Sequence, residues 1–354
     1  MDVHELRQDI DRWAHDLGFD QVGVTDTDLS NVSQDYREWL RQGFHGEMSY
    51  MNRNIKKRVA PHELLPGTVR VISARMNYLT FTAPTEISDP TKAYISRYAL
   101  GRDYHKVVRR RLAKIARKMV DKAGGTHRAF VDSAPVLEKP LAVKAGLGWV
   151  GKNTLVLNSQ AGSYFFLGEI FTDIPLPMSQ ETAVAQCGSC KACLVKCPTD
   201  AFVAPGKLDA RKCISYLTIE LKGSIPIELR PKVGNRIFGC DDCQLICPWN
   251  RFASSTTIQD FEPRHHLEDV SIIDLLEWNE STFREKTEGM AIKRVNYSQW
   301  VRNLAVAAGN STYSVKLEKV LVEKRTEMEN RHDSNVVEHI NWALCQLLAE
   351  TQSR

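Results

Sequence analysis

No stretch of this chain reaches the roughly eighteen consecutive apolar residues that a membrane-crossing helix needs, which excludes a helical membrane protein. The opening residues, MDVHELRQDI, carry neither a basic n-region nor an apolar h-region, and no twin-arginine pair precedes them, so no export leader is expected. Low-complexity tracts are missing as well, and with 43% hydrophobic and 25% charged residues the composition is that of a folded globular protein. Neither sign of charge dominates, with 47 Lys and Arg against 43 Asp and Glu. A net +4 tolerates a polyanionic partner without demanding one. The first 186 residues contain no cysteine at all, whereas eight of the nine lie between 187 and 247. Disulfides are not expected of a chain with no leader, because cytoplasmic thiols are kept reduced. These absences together point to a cytoplasmic protein whose cysteines bind something.

At 354 residues the chain is too long for one ordinary core and divides into two or three domains. Leu6, Ile10, Trp13 and Leu17 predict an amphipathic helix closed by Gly18, followed by a strand over 19–24. A second helix is expected near 36–40 and a strand over 69–76, after the Pro66-Gly67 turn signal. The plainest helix spans 104–123, with Val108, Leu112, Ile115 and Met119 on one face. A strand at 129–132, a helix starting at Pro135, and strands at 155–157 and 164–171 complete an alternation that suggests an α/β-type or α+β first domain. Pro175 and Pro177 mark its end, and the polar stretch 254–259 ends the cysteine region. Beyond it the pattern is wholly helical, with stripes at Trp300, Leu304 and Ala308 and at Val337, Ile340, Leu344 and Leu347. The expected division is 1–178, 179–255 and 256–354. Cys345 falls within the last stripe and is expected to be a buried, inert thiol.

Cys187-x2-Cys190-x2-Cys193-x3-Cys197-Pro198 is the spacing of bacterial ferredoxins, in which the fourth cysteine reaches the other cluster. Cys240-x2-Cys243-x3-Cys247-Pro248 repeats it with one departure, since Ile237 stands where a leading cysteine belongs. Cys213 is the nearby thiol that can complete the set. A tight loop can present three thiolates to one cube before the chain turns away to a neighbour. Cys187, Cys190, Cys193 and Cys247 are therefore assigned to one 4Fe–4S cluster, and Cys197, Cys213, Cys240 and Cys243 to a second. Zinc also uses Cys-x2-Cys pairs, but nothing in a zinc site requires the full spacing with its proline twice over.

Several other signals are weaker. Gly146-x-Gly148-x-x-Gly151 matches the dinucleotide fingerprint as a string, but a helix precedes it and a strand follows, the reverse of the order that motif needs. Those glycines more readily let the backbone approach another large, flat ligand. Asp103-x-His105-x-x-Val108 misses the glycine of a cobalt-ligating DxHxxG motif, so His105 is not read as a cobalt ligand. Between 106 and 122, Lys106, Arg109, Arg110, Arg111, Lys114, Arg117, Lys118 and Lys122 face one acid, Asp121, a density that suits either a solvated helix face or phosphate contact. Asp132 stands at a strand-to-helix junction, where it can serve as an N-cap or, among Phe130, Val131 and Pro135, as a carboxyl kept protonated for general acid work.

The segments HGEMSYM (45–51), PHELLPGTVRVI (61–72), SRYALGRDYHK (96–106), FVDSAP (130–135), KAGLGWVGKNTL (144–155) and NRIFGCDDCQLICPWN (235–250), taken with the cysteine runs, resemble the epoxyqueuosine reductase family. The resemblance implies an α+β multidomain protein: a cobalamin-binding domain, a ferredoxin-like domain with two 4Fe–4S clusters, and C-terminal HEAT-like α-helical repeats. It implies reduction of the epoxide of epoxyqueuosine to the alkene of queuosine at the wobble base of tRNAs with GUN anticodons, those for Asp, Asn, His and Tyr. Under the same resemblance Asp132 is the proton donor and a cobalamin contact; Arg58, Ser215, Cys240 and Asp241 also contact cobalamin, and Lys222 lies near the tRNA. Reduced flavodoxin or ferredoxin is the implied electron donor and a monomer the implied state. A cobalamin-dependent reductive dehalogenase and a non-catalytic, cluster-bearing tRNA-binding electron carrier are the alternative readings. The two cysteine runs predict about eight irons and eight labile sulfides per chain after anaerobic reconstitution, and Cys345→Ser should leave that content unchanged. Iron settling near four would contradict the assignment of two cubes.

Overall fold

The computed structural model describes residues 2–81, 87–180 and 183–352. The first helix, α1 (Val3–Asp16), begins where the Asp2 side chain accepts the His4 N–H, and it buries Leu6, Ile10 and Ala14. Four strands follow: β1 (Gln21–Thr25), β2 (Arg70–Asn77), β3 (His127–Phe130) and β4 (Phe165–Thr172). They form one sheet in the order β1-β2-β4-β3. Every pairing in it is antiparallel, with Val24 opposite Ile72, Ser73 opposite Glu169, and Phe130 also opposite Glu169.

The first domain is therefore α+β, which corrects the α/β-type expectation. The reason lies in burial. Val71 and Phe171 pack with Leu29, Phe130 and Leu141 on one face, while Ile72 and Ile170 pack with the α1 side on the other. A sheet covered on both faces shows continuous apolar runs whichever way its strands point, and such runs are the usual mark of parallel strands.

The face toward α1 is closed by α2 (Tyr104–Ala123), whose Val108, Leu112, Ile115 and Met119 are all buried. Gly168 makes this packing possible: a Cβ there would lie 2.6 Å from Leu112 Cδ1 and 2.9 Å from Val108 Cγ1. The opposite face receives α3 (Glu138–Lys144). Its N-cap is Leu137 and β3 stops at Phe130, so Asp132 lies in the turn between them and caps no helix. Gly148, in the glycine-rich turn, adopts φ +155°, and a Cβ on it would sit 2.0 Å from the Leu157 carbonyl oxygen. The close approach at Gly148 is to the chain's own strand.

A short parallel pair, residues 94–95 against 236–238, ties the sheet region to the cysteine region. The C-terminal part contains α4 (Tyr297–Gly309), α5 (Val315–Asn330) and α6 (Ser334–Gln352). An Asn296/Gln299 capping box starts α4, which is buried on almost every side rather than along one stripe. Within it Arg302 donates to the carbonyls of Leu217, Leu221 and Gly223 at 2.7–2.8 Å, and Asn303 donates to Thr218 O and Ile237 O at 2.7 and 2.9 Å. The buried stripe of α6 is Val336, Ile340, Ala343 and Leu347. Cys345 falls off that stripe and is exposed, which corrects the expectation of a buried thiol. Because Leu112 fills the space between α2 and the sheet, Leu112→Ala should lower unfolding free energy by about 2–5 kcal/mol in chemical denaturation.

Candidate active site and cluster-binding cysteines

The two cysteine runs fold into loops with a single helical turn each, residues 192–196 and 242–245, which pack against one another. Packed this way, Cys187, Cys190, Cys193 and Cys247 line a single cavity of about 220 Å³, completed by Gln186, Lys152, Pro248, Trp249 and Arg251. Lys152 Nζ donates to the carbonyls of Gly188 and Cys190 at 2.6 and 2.8 Å, fixing the loop from the first domain. The remaining thiols gather deeper. Burial pushes the Cys243 and Cys213 thiols up in pKa, and neighbouring thiols push the same way: Cys213 and Cys197 on Cys243, and Cys197 on Cys213. Cys240 is raised by burial and by Asp242, to which its Sγ donates at 2.8 Å. Among the described residues no three His, Cys, Asp or Glu side chains close around a single metal ion. A cavity ringed by four thiols fits a cube, whose formation must displace the protons that burial favours.

Asp241 joins this region to the first domain. It is 1% exposed and accepts from Tyr94 Oη at 2.9 Å, Ser96 Oγ at 2.5 Å and Arg97 N at 2.8 Å. Burial raises its pKa, and these three bonds oppose that shift. The rings of Tyr98 and Tyr104 meet edge-on at 5.9 Å, which leads from this network toward Asp132.

Asp132 is not in apolar surroundings, contrary to the expectation from its neighbours in sequence. Its side chain is 40% exposed; it accepts from Tyr104 Oη through one oxygen, and the other lies 2.8 Å from His105 Nε2. The far nitrogen of that ring, Nδ1, lies 2.7 Å from Asp103 Oδ1. Burial pulls the His105 pKa down, but the bonds to Asp103 and Asp132 outweigh it and push it up to about 9. Tyr104 is held flat against Phe166, with ring centroids 4.1 Å apart. Beneath this turn, burial raises Glu138 and Glu169 in pKa; the carboxylates of Glu169 and Asp132 push Glu138 further up, and that of Asp132 helps push Glu169 to about 8. Sequence reasoning passed over Tyr104 and His105 as acid–base groups. The only signal in the sequence is the Asp103-x-His105 string, whose nearness to DxHxxG points to cobalt rather than to proton transfer.

Among the other expected contacts, Arg58 is 8% exposed and donates through Nη2 to Tyr50 O at 3.1 Å, and its buried Nε has no partner among the described residues. Ser215 is half-buried in the turn of helix directly after Cys213. Lys222 is exposed, and its backbone N–H bonds Glu47. No hydrogen bond joins Asp132 to Arg58, Ser215 or Lys222 among the described residues. On α2 the basic residues divide into two kinds. Lys122 pairs with Glu5 and Asp9, Arg111 bonds Leu17 O, and Lys118 lies 5.4 Å over the Trp13 ring. Lys106, Arg109, Arg110, Lys114 and Arg117 line two open grooves along the helix, and Arg111 borders one of them as well.

Residues 58–133 match the family model described as epoxyqueuosine reductase QueG, DUF1730, and residues 186–250 match the 4Fe-4S double cluster binding domain. An epoxyqueuosine reductase of Pseudomonas aeruginosa is 52% identical over 347 residues, 97% of this chain and 95% of that protein. One of Escherichia coli is 52% identical over 351 residues, 98% and 90% of the respective lengths. Among solved structures, an epoxyqueuosine reductase with a tRNA-Tyr epoxyqueuosine-modified stem loop superposes with a TM-score of 0.84 at 27% identity, over 98% of this chain and all of that one. The Bacillus subtilis enzyme, with an aspartate catalytic loop swung out of its active site, gives 0.81 at 26% identity, over 98% and 100%. Reductive dehalogenases give 0.45–0.47 at 16–17% identity, too loose a likeness to bear on function. With identity of this order sustained over almost the whole length, the chain belongs to the epoxyqueuosine reductase family.

Proposed function

We propose that this protein reduces the epoxide of epoxyqueuosine to the alkene of queuosine at the wobble base of tRNAs with GUN anticodons, with Asp132 as proton donor. One observation carries the reading of the site: a carboxyl group open to a large substrate, yet gripped by Tyr104 and His105. Removing an epoxide oxygen as water takes two electrons and two protons. The eight cysteines, in the two sets assigned above, would hold the clusters that bring electrons singly, and reduced flavodoxin or ferredoxin would supply them. Cobalamin fits one orphaned group, since the buried, unpartnered Nε of Arg58 calls for an acceptor of the kind the cofactor's amides and phosphate offer. Arg58, Ser215, Cys240, Asp241 and Asp132 would hold it. Bound there, cobalamin would supply a nucleophile able to deliver two electrons at once. Asp132 would protonate the oxygen released from the ring, and Tyr104, whose phenol burial keeps neutral, would hold the carboxylate in place between turnovers.

The chain would act as a monomer, in three domains at 1–178, 179–255 and 256–354, the last built as HEAT-like helical repeats. Lys222 and the grooves beside α2 would meet the RNA. Reversing charge at Arg110, Lys114 and Arg117 should weaken binding of a tRNA stem loop and reduce the slope of log affinity against log salt by about two to three. An unchanged affinity and slope would return the helix to a merely solvated role. Asp132→Asn should cut turnover by about a hundred- to ten-thousandfold while leaving iron and cobalamin content intact, because asparagine keeps the shape but lacks the acidic proton. Near-normal turnover by that variant, measured as queuosine formed in epoxyqueuosine tRNA, would remove Asp132 from the mechanism.

A further inference from the structure

The imidazole of His105 spans two carboxylates. Nε2 lies 2.8 Å from Asp132 Oδ1 and Nδ1 lies 2.7 Å from Asp103 Oδ1. Its position is over-determined. Asp103 is the N-cap of α2 and accepts the His105 backbone N–H at 3.1 Å with the same oxygen that takes the ring, while the Tyr104 ring stacks on the imidazole at 4.1 Å. The ring is also one-third exposed, so solvent reaches it. The titratable groups facing it are Asp103 from its own helix cap, Asp132 from the turn after β3, and Tyr104.

We propose that His105 is a relay that reloads Asp132 with a proton from solvent after each proton donation, with Asp103 as the group that orients it. The inference rests on the reading of Asp132 as donor. In the step itself, the Nε2–H bond breaks as an O–H bond forms on Asp132, and no electron moves. Asp103 keeps the proton on Nδ1, so the lone pair left behind appears at Nε2, where a proton from water restores the imidazolium. A reaction that consumes two protons while a macromolecule covers the site draws on more than the one proton Asp132 can hold, and the imidazolium stores a second within 2.8 Å of that carboxyl until water refills it after release. The imidazolium persists at neutral pH because the folded protein holds its pKa near 9. The relay is therefore loaded below that pH and lost as pH rises through it.

The test uses the holoenzyme with saturating epoxyqueuosine stem loop and reductant, following kcat and KM from pH 6 to 10. In the parent protein kcat should fall as pH rises through about 9. His105→Gln keeps a hydrogen-bond donor toward Asp132 but cannot relay. It should lose kcat by about ten- to a hundredfold at neutral pH, keep KM and iron content, and lack the alkaline limb. His105→Ala should regain turnover with added imidazole. Asp103→Asn, an equally good cap, should move the limb toward lower pH because one carboxylate no longer favours the imidazolium. A parent-like kcat and limb in His105→Gln, or a loss in His105→Ala that imidazole leaves untouched, or an unmoved limb in Asp103→Asn, overturns the relay. If Asp132→Asn is inactive in the same assay, only the relay has failed; if Asp132→Asn also turns over normally, the donor assignment has failed with it.

Discussion

The arrangement of this protein depends on one buried carboxylate. Asp241 follows directly on Cys240 in the second cysteine run, yet its three hydrogen bonds go to Tyr94, Ser96 and Arg97, well outside that run. A buried carboxylate left unpaired would cost several kcal/mol, so the loop that carries Cys240 and Cys243 is held where the 94–97 segment can satisfy it. The same segment leads within a few residues to Tyr104 and His105. The loop of Cys240 and Cys243 and the Tyr104–His105 pair that grips Asp132 thus share a single anchor, and displacing Asp241 would disturb the register between them.

Charge on α2 does two jobs that composition alone could not separate. Lys122, Arg111 and Lys118 fasten the helix to α1 and to the chain around Leu17, and they are spent on structure. Arg109, Arg110, Lys114 and Arg117 remain on the grooves. A helix needs one apolar stripe to dock on a sheet, and here the remaining circumference is basic far beyond what docking requires.

The sequence was most legible where chemistry is set by local spacing. The span of α2 was read to the residue, and the cysteine spacing grouped Cys247 with the first run before any cavity was known. It was least legible where partners are distant in the chain. Nothing near Asp132 in sequence points to Tyr104 and His105, 27 or more positions away, and the apolar residues beside it suggested dryness that its side chain does not have. Strand direction was hidden for a similar reason: residues buried on both faces carry the same composition in parallel and antiparallel sheets. Cys345 shows the limit of periodicity: Ile340 and Leu347 are buried and Val337 and Leu344 pack in part against the same core, but the thiol beside Leu344 lies off that face and is exposed.

The pairing of β2 with β4 sets an order of events during synthesis. Arg70 lies opposite Thr172, so the central hydrogen-bond ladder cannot close until more than a hundred further residues have left the ribosome. The strand at 94–95 waits longer still for 236–238, and the carbonyls of Leu217, Thr218 and Ile237 wait for Arg302 and Asn303 on α4. For that interval the cysteine loops are made but not yet clamped by the C-terminal helices. In the folded chain Cys213 and Cys240 pack in one cluster with Val306 of α4 and Trp342 of α6, so these two thiols are more open to incoming iron and sulfide before the last third of the protein docks than after it.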